Sequence, residues 1–250
     1  MNNEIPFDPL KRGARLEDAV MQGKKRLYYR MRPGHLYGGA STAEAVGCSL
    51  LCAYCWNYQR NLNPDRYRDY YSPHETASRL MFLAKKNQLG IFRLSGAEPI
   101  LGHRSFHHVL ETVKILSRYR PGAPIIIETN GIFPGYQPQL LDHLKDLSVK
   151  IRVGLKGIDP ESFEAVSGAQ KKFYHLPLKA LKELKKREII SWPALIGDLF
   201  SPQNLERFQK YLKDEVTPSP LEIENLNKLP MVIQNISRRK KDFPDVFPDD

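Results

Sequence analysis

The chain has 250 residues, of which 41% are hydrophobic and 10% aromatic, and its formal net charge is +10 at pH 7. This length predicts one α/β domain, or one domain with short extensions, and the apolar content is sufficient for a sizeable core. No apolar run approaches the roughly 20 residues that a membrane-spanning helix needs. Because no secretory signal opens the chain, we expect a reducing, cytoplasmic location that keeps thiols free.

The basic residues are concentrated at positions 24–32 and 238–241, and several tyrosines lie beside the first group. Basic side chains interleaved with Tyr28, Tyr29 and Tyr37 would suit RNA, by neutralising phosphates and stacking on bases. A solvated surface is the commoner role of such a run of charge, and we favour it for both groups.

In chain order, a polar extension (1–35) with a short helix at 15–24 precedes a core (36–225), and a basic helix and tail (226–250) follow. Ser72-Pro73-His74-Glu75 has the pattern of a capping box, and Ser201-Pro202 and Asp159-Pro160 also indicate helix starts. Further helices are predicted at 104–118, 138–145 and 176–187, where a leucine stripe indicates a face packed on the core. The predicted strands are 43–46, 91–94, 124–128, 150–155, 188–196 and 221–223.

Strands that alternate with helices predict right-handed βαβ units and a parallel sheet. Six such units are too few for a closed barrel of eight strands. In open and closed α/β folds alike, the chemistry lies at the carboxyl ends of the strands. The loop that follows the first core strand, the turn at Glu98, Glu128 and Lys156 all fall at such ends.

The loop after the first core strand contains all three cysteines of the chain, Cys48, Cys52 and Cys55, spaced C-x3-C-x2-C. An odd, clustered set argues against a disulfide framework. A structural zinc site would need His35 or His74 as a fourth ligand, and neither lies in a second ligand pair. Three thiolates within eight residues favour an iron–sulfur cluster with one coordination position left open, where substrate chemistry can occur.

This motif, with Tyr54 directly before the last cysteine, resembles the signature of the radical S-adenosylmethionine (radical SAM) enzymes. Ser95-Gly96-Ala97-Glu98-Pro99 is similar to the Gly-Gly-Glu-Pro motif of that family. The segments 128–131 (Glu-Thr-Asn-Gly) and 153–157 (Val-Gly-Leu-Lys-Gly) resemble later strand ends of enzymes that activate glycyl-radical enzymes. The resemblance covers roughly residues 40–200.

The resemblance implies a partial (β/α)6 TIM-like barrel with mostly parallel strands. It also implies a [4Fe–4S] cluster held by the three cysteines, S-adenosylmethionine (SAM) bound to the fourth iron, and an electron donor such as flavodoxin or ferredoxin. One electron would cleave SAM to a 5′-deoxyadenosyl radical that abstracts hydrogen from a substrate. With no further cysteine in the chain, we expect a single cluster.

The resemblance also assigns expected roles around SAM. Tyr54 would lie near the adenine, and the backbone at Gly96 and Ala97 near the methionyl ammonium, with charge or hydrogen bonding from Glu98. Lys156 and Arg152 are alternative partners of the methionyl carboxylate. The remaining candidate SAM-binding residues are Glu128 and Asn130. Their family segment helps to bind a cation, but Gly154 replaces an expected acidic residue there, which puts a cation site in doubt.

Three readings of function follow. The first is a single-cluster radical SAM enzyme that generates a radical on a glycyl residue of a partner protein. The second keeps the radical chemistry but modifies RNA, and the third is a non-catalytic iron–sulfur or zinc-binding module. His103 and His107, at i, i+4 spacing, could bind a metal, although a solvated helix start explains them better.

Overall fold

The computed structural model describes residues 4–244, 246 and 247. Residues 1–3, 245 and 248–250, which belong to the predicted extension and tail, lie outside the described residues. The strands are β1 Met21–Gln22, β2 Lys25–Gly34, β3 Ala40–Ala45, β4 Tyr70–Tyr71, β5 Ile91–Gly96, β6 Ile125–Thr129, β7 Val149–Gly154, β8 Ser191–Ile196 and β9 Glu222–Glu224.

The strands form one open sheet with a parallel centre. β3, β5, β6, β7, β8 and β9 lie side by side in that order, each parallel to the next. β2 pairs antiparallel with β3, and both β1 and β4 pair with β2. The path from β1 to β9 does not close on itself. The predicted partial (β/α)6 barrel with six parallel strands is therefore confirmed.

The α-helices are α1 Pro9–Val20, α2 Tyr58–Leu62, α3 Pro73–Lys86, α4 His103–Tyr119, α5 Ile132–Tyr136, α6 Pro160–Ser167, α7 His175–Lys186, α8 Pro202–Tyr211 and α9 Pro230–Asp242. Among the described residues, no helix is long and apolar enough to cross a lipid bilayer.

The predicted helix starts are confirmed at the level of individual hydrogen bonds. The Ser72 hydroxyl accepts the Glu75 N–H, and the Glu75 carboxylate accepts the Ser72 N–H, which completes the capping box. The side chains of Asp159 and Ser201 likewise accept a backbone N–H at the starts of α6 and α8. Each of these three helices has proline in its first turn, where no N–H partner is needed.

The main difference from prediction lies between the extension and the cysteine loop. There β2 forms a ten-residue strand that the sequence pattern did not indicate. Its charged residues and Pro33 obscure the period-2 pattern, because strand propensity depends strongly on the neighbours a strand finds. Helix α1 also begins earlier than predicted, at Pro9, because the Asp8 carboxylate caps the backbone N–H groups of Leu10 and Lys11.

Smaller differences concern element type and ends. The predicted helix at 138–145 is a 3₁₀ helix, Pro138–Leu144. The predicted strand at 188–196 begins only at Ser191, and α3 ends at Lys86 rather than near Gly90. Element ends depend on local caps and are the least certain part of a sequence-based assignment.

The core lies on both faces of the parallel sheet. Ile125, Ile126 and Ile127 are all buried, as expected of a parallel strand with both faces covered. The predicted leucine stripe of α7 is buried too, with Leu181 and Leu184 fully inaccessible. This packing fixes the strand ends that carry the candidate site.

One histidine of α4, His108, is buried at 2% exposure rather than solvated. Its Nε2 is 3.0 Å from the Tyr28 hydroxyl, and its Nδ1 is 3.0 Å from the Lys24 carbonyl oxygen. Burial lowers the pKa of His108 from an ordinary 6.5 to about 4. The folded state thus favours the neutral ring, and its stability decreases as the pH falls from 6.5 to 4.

We expect His108 to contribute roughly 3 kcal/mol to the decrease in the free energy of unfolding over this range. Urea unfolding of the parent and of His108→Gln, at a series of pH values, measures it. The parent should lose stability more steeply than His108→Gln. His107→Gln, exposed on the same helix, is the matched control and should keep the parent's slope. Equal slopes for the parent and His108→Gln would contradict this account.

Candidate functional site

The three cysteines lie on the loop that follows β3, and all three are free thiols. Cys52 is buried, and Cys48 and Cys55 are half-buried. The Sγ atom of Cys48 accepts the N–H of Leu50 at 3.4 Å. The Sγ atom of Cys55 accepts the side-chain amide of Asn61 at 3.8 Å.

The loop is held against helix α6 by backbone hydrogen bonds. The Leu51 N–H donates to the Ser167 carbonyl at 2.9 Å, and the Ala53 N–H donates to the Val166 carbonyl at 2.8 Å. Both carbonyls lie at the C-terminal end of α6, which would otherwise be unsatisfied. The positions of the cysteines are therefore fixed by the fold.

The surroundings of the thiols fit a metal cluster. Burial raises the pKa of all three, to about 12 for Cys55. Bound metal removes this barrier, because a coordinating thiol is deprotonated outright. N–H groups aimed at Sγ atoms, as at Cys48 and Cys55, are the contacts that stabilise cluster thiolates.

The turn at residues 96–98 packs directly against the start of the cysteine loop. The Ala97 N–H donates to the Ala45 carbonyl at 3.1 Å, and the Glu98 N–H donates to the Gly47 carbonyl at 3.0 Å. The side-chain amide of Asn57, two residues after Cys55, donates to the Gly96 carbonyl at 3.1 Å. Two sequence-predicted parts of the site are thus in direct contact.

The Glu98 carboxylate points into the protein and joins two strand ends. It accepts the N–H of Ile100 at 2.9 Å, the hydroxyl of Thr129 at 2.7 Å and the N–H of Asn130 at 2.7 Å. Burial raises its pKa to about 7, although the donated hydrogen bonds favour the ionised form. The side chain therefore fixes the turn relative to the end of β6.

Asn130 lies beside the cysteines. Its side-chain amide donates to the Ser49 hydroxyl at 2.9 Å and to Cys48 Sγ at 3.6 Å. Its side-chain oxygen accepts the N–H of Ile132 at 3.0 Å. The structure thus joins the end of β6 to the cysteine loop, as expected of a shared site.

Glu128 instead faces the interior of the open barrel, where it binds residues of other elements. It forms two hydrogen bonds with Arg93, at 2.8 and 2.6 Å, and accepts the hydroxyls of Ser95 at 2.6 Å and Tyr37 at 2.7 Å. Burial alone would raise its pKa, but Arg93 outweighs burial and lowers the pKa to about 2. Glu128 is an anion with its hydrogen-bonding positions filled.

Arg152 and Lys156 lie in different surroundings. Arg152 pairs with the carboxylates of Glu222 at 3.0 Å and Glu224 at 2.6 Å. The Lys156 ammonium lies 5.6 Å from the centroid of the Tyr54 ring. Although burial opposes its charge, Tyr54 and Cys52 raise the pKa of Lys156, so it stays protonated. Of these two cations, Lys156 is the one next to the cysteines.

Gly154 leaves the space that Lys156 uses. A Cβ atom at Gly154 would lie 2.8 Å from the Lys156 Nζ atom. Position 154 therefore has no acidic side chain that could bind a cation. The Lys156 ammonium lies in the space that such a side chain would occupy.

Several residues of the site give no recognisable signal in the sequence. Arg26, within the first basic run, is fully buried and donates to the Glu98 carbonyl at 3.0 Å. Arg12 and Arg239 contact the backbone of the cysteine loop. The residue type alone does not show whether an arginine is buried or solvated, and the neighbouring residues in the two basic runs do not indicate it either. The solvated reading of the runs is therefore wrong for Arg26 and Arg239.

Within the described part of the chain, no three or more His, Cys, Asp and Glu side chains converge so that they could hold a metal ion. A cluster differs from a single ion in this respect, because its thiolate ligands bind different iron atoms. His103, considered above as a possible metal ligand, forms an edge-to-face ring contact with Phe133, with centroids 5.3 Å apart.

Solved structures similar to this chain include anSMEcpe with bound AdoMet, at 16% identity and a TM-score of 0.50, covering 79% of this chain and 57% of that one. The same protein with AdoMet and Cp18Cys peptide matches at 16% identity and 0.50, covering 79% and 56%. The cobalamin-dependent S-adenosylmethionine radical enzyme OxsB, in its apo form, matches at 12% identity and 0.50, covering 84% and 32%. The chain thus spans about a third to just over half the length of these proteins, and the likeness shows a shared fold. No curated protein matches the chain.

The family model of the Radical SAM superfamily matches residues 45–214, well over half of the chain. The matched range begins at the end of β3 and includes the cysteine loop, the 96–98 turn and the ends of β6 and β7. The superfamily uses a [4Fe–4S] cluster and SAM, and it cleaves SAM reductively to start radical chemistry. The chain therefore belongs to the Radical SAM superfamily, whose cofactors these are.

Proposed function

We propose that Cys48, Cys52 and Cys55 bind the [4Fe–4S] cluster. When bound, the cluster supplies the electron that cleaves SAM and leaves a 5′-deoxyadenosyl radical. The spacing of the thiols on one buried loop, with N–H groups from Leu50 and Asn61 aimed at sulfur, supports this assignment.

The residues around the loop would bind SAM. The carbonyl groups of Gly96 and Ala97 would accept hydrogen bonds from the methionyl ammonium. Glu98 would hold the turn at residues 96–98 in place. Lys156 is the better partner for the methionyl carboxylate, because Arg152 already pairs with two carboxylates of β9. Tyr54, below the Lys156 ammonium, would offer its ring to the adenine.

For the substrate, we propose a glycyl residue of a partner protein. The main support is the segment 128–131, which is similar to a segment of the enzymes that activate glycyl-radical enzymes and which contacts the cysteine loop. Asn130 of that segment reaches Cys48 Sγ at 3.6 Å. The Glu128 carboxylate faces the barrel interior, where a substrate would enter. A peptide is also part of one fold neighbour, anSMEcpe with Cp18Cys peptide, which supports a peptide-like substrate.

Deuterium transfer tests the substrate class. Cells of the source organism would be grown with α-dideuterated glycine, and their protein fraction incubated with the reconstituted enzyme, dithionite and SAM. We expect deuterium in the 5′-deoxyadenosine measured by mass spectrometry. Perdeuterated RNA, from a separate culture of the same organism grown in heavy water, is the alternative substrate. Deuterium from RNA, and none from protein, would contradict the glycyl proposal.

We favour a protein substrate over RNA, because several side chains of the first basic group are turned away from the surface. Arg26 and Tyr28 of the first basic group are buried at 1% and 3% exposure. Tyr37 is turned towards the barrel interior, where it binds Glu128 and packs edge-to-face on Trp192. Base stacking needs exposed rings along a charged groove, and these side chains do not supply them.

An acidic electron donor protein, such as flavodoxin or ferredoxin, is a further proposal. Next to Cys55, the indole of Trp56 is 37% exposed, and the Arg60 guanidinium lies 5.6 Å from its ring centroid. Trp56 and Arg60 line a surface groove, and the exposed Arg66 lines it as well. Exposed tryptophan and arginine together are typical of protein-binding surfaces, and the positive charge suits an acidic donor.

We expect Arg66→Glu to slow flavodoxin-driven SAM cleavage roughly tenfold at low salt, because like charges then meet at the donor surface. Cleavage driven by dithionite, a small reductant, should not change. Arg118→Glu, an exposed change near the C-terminal end of α4, is the control and should leave both rates intact. Equal flavodoxin-driven rates in the parent and Arg66→Glu would exclude this surface.

A further inference from the structure

Arg12, on helix α1 near the N-terminus, reaches the cysteine loop. The residue is 4% exposed. Its Nε atom donates to the Cys48 carbonyl at 3.3 Å, and its Nη2 atom donates to the Asn61 carbonyl at 3.1 Å. Asn61 is the residue whose amide points at Cys55 Sγ. One guanidinium therefore joins the chain segments of the first and third cysteines.

Arg239, on helix α9 near the other end of the chain, holds the middle of the same loop. It is also 4% exposed. Its Nη2 atom donates to the carbonyl of Leu51, directly before Cys52, at 3.2 Å. Its Nη1 atom donates to the Ala165 carbonyl of α6 at 2.7 Å. A Cβ atom at Gly168 would lie 3.2 Å from this guanidinium, so the pocket is closely fitted to it.

Two buried guanidinium groups thus contact carbonyls of the loop that carries every cysteine. Arginine keeps its charge when buried and can donate two or more hydrogen bonds at once. A fixed positive charge in low-dielectric surroundings favours an added electron nearby, and net charge is among the factors that set cluster potentials. Arg15, one turn from Arg12, and Arg238, next to Arg239, are exposed and offer matched controls.

We propose that Arg12 and Arg239 are positioning residues for the cluster: they hold the cysteine loop in place and make the bound cluster easier to reduce. This inference rests on the proposed ligation by the three cysteines. It means that both terminal segments, which the sequence presents as an extension and a basic tail, belong to the site.

The test is an EPR-monitored redox titration of the reconstituted protein, with iron content measured alongside. We expect Arg12→Gln and Arg239→Gln each to reduce the ratio of reduced to oxidised cluster at a fixed potential about tenfold, a shift of about 59 mV to more negative values. Arg15→Gln and Arg238→Gln remove the same charge from exposed positions and should leave the midpoint unchanged. Arg12→Lys and Arg239→Lys, which keep the charge, should recover most of the shift.

Midpoints in Arg12→Gln and Arg239→Gln equal to those of the exposed controls would overturn the proposal. If the glutamine variants do not fold, the lysine variants carry the test, since an ammonium cannot reproduce the paired hydrogen bonds by which Arg12 joins Cys48 to Asn61 and Arg239 joins Leu51 to Ala165. Their clusters should be lost to a chelator several-fold faster than that of Arg238→Lys, and loss at the parent's rate would overturn the proposal. A parent protein that binds no iron would instead refute the cysteine ligation itself.

Discussion

The Gly96→Ala protein is expected to unfold well below the parent's temperature and to lose most of its SAM cleavage. Gly96 has a φ of +95°, which L side chains rarely adopt. An added Cβ atom would lie 2.8 Å from the Ala45 nitrogen and the Glu44 Cα atom, both of which are backbone. Neither can move without displacing β3, the strand that leads into the cysteine loop.

The backbone conformation costs about 1–2 kcal/mol, and forced packing adds about 1–3 kcal/mol. For a chain of this size, a total near 3 kcal/mol lowers Tm by roughly 6–12 °C. Thermal unfolding followed by circular dichroism measures the decrease in Tm. The loss of SAM cleavage is measured as the amount of 5′-deoxyadenosine formed. Gly90→Ala is the control, because nothing lies within 4 Å of a Cβ atom there. If the Tm of Gly96→Ala equals those of Gly90→Ala and the parent, a Cβ atom at residue 96 does not clash with the backbone of β3, and the account is wrong.

Glu128→Leu is expected to destabilise the protein by about 3–5 kcal/mol, because it leaves the Arg93 guanidinium buried without its counterion. The two side chains are only 12% and 14% exposed, and their closest atoms are 2.6 Å apart. Since the folded-state pKa of Glu128 is about 2, its stabilisation is present above 4.5 and lost as the pH falls towards 2.

Urea unfolding of three variants separates the ion pair from its surroundings. Arg93→Met with Glu128→Leu removes both charges and should recover much of the stability that Glu128→Leu loses. Glu111→Leu breaks an exposed pair with Lys114 on α4 and should cost less than about 1 kcal/mol. A Glu128→Leu protein as stable as Glu111→Leu would show that the interior pair contributes nothing.

Much of the fold follows from local patterns. The capping box at Ser72 and the consecutive isoleucines of β6 identify their elements without knowledge of neighbours. β2 does not, because its strand character comes from pairing with β3 on one edge and β4 on the other. Helix α1 was placed too late, since its Asp8 cap lies in a stretch without a visible apolar period.

The site was predictable where its residues occur in a compact motif, as for the three cysteines and the turn at Glu98. It was not predictable where a side chain crosses the molecule. Arg239 contacts Leu51 from 188 positions away, and Arg26 contacts Glu98 across 72. Such contacts depend on how the helices and strands pack, which single-sequence patterns do not contain.

The central claim is that the cysteine loop supports reductive cleavage of SAM. The most direct measurement is anaerobic reconstitution with iron and sulfide, addition of dithionite and SAM, and quantification of 5′-deoxyadenosine by mass spectrometry in the parent and in Cys52→Ala. The account predicts product in the parent and none above background in Cys52→Ala. A parent with a fully loaded cluster and no product would contradict it and favour the non-catalytic iron–sulfur module. Equal product from both proteins would also contradict it, because cleavage would then not depend on Cys52.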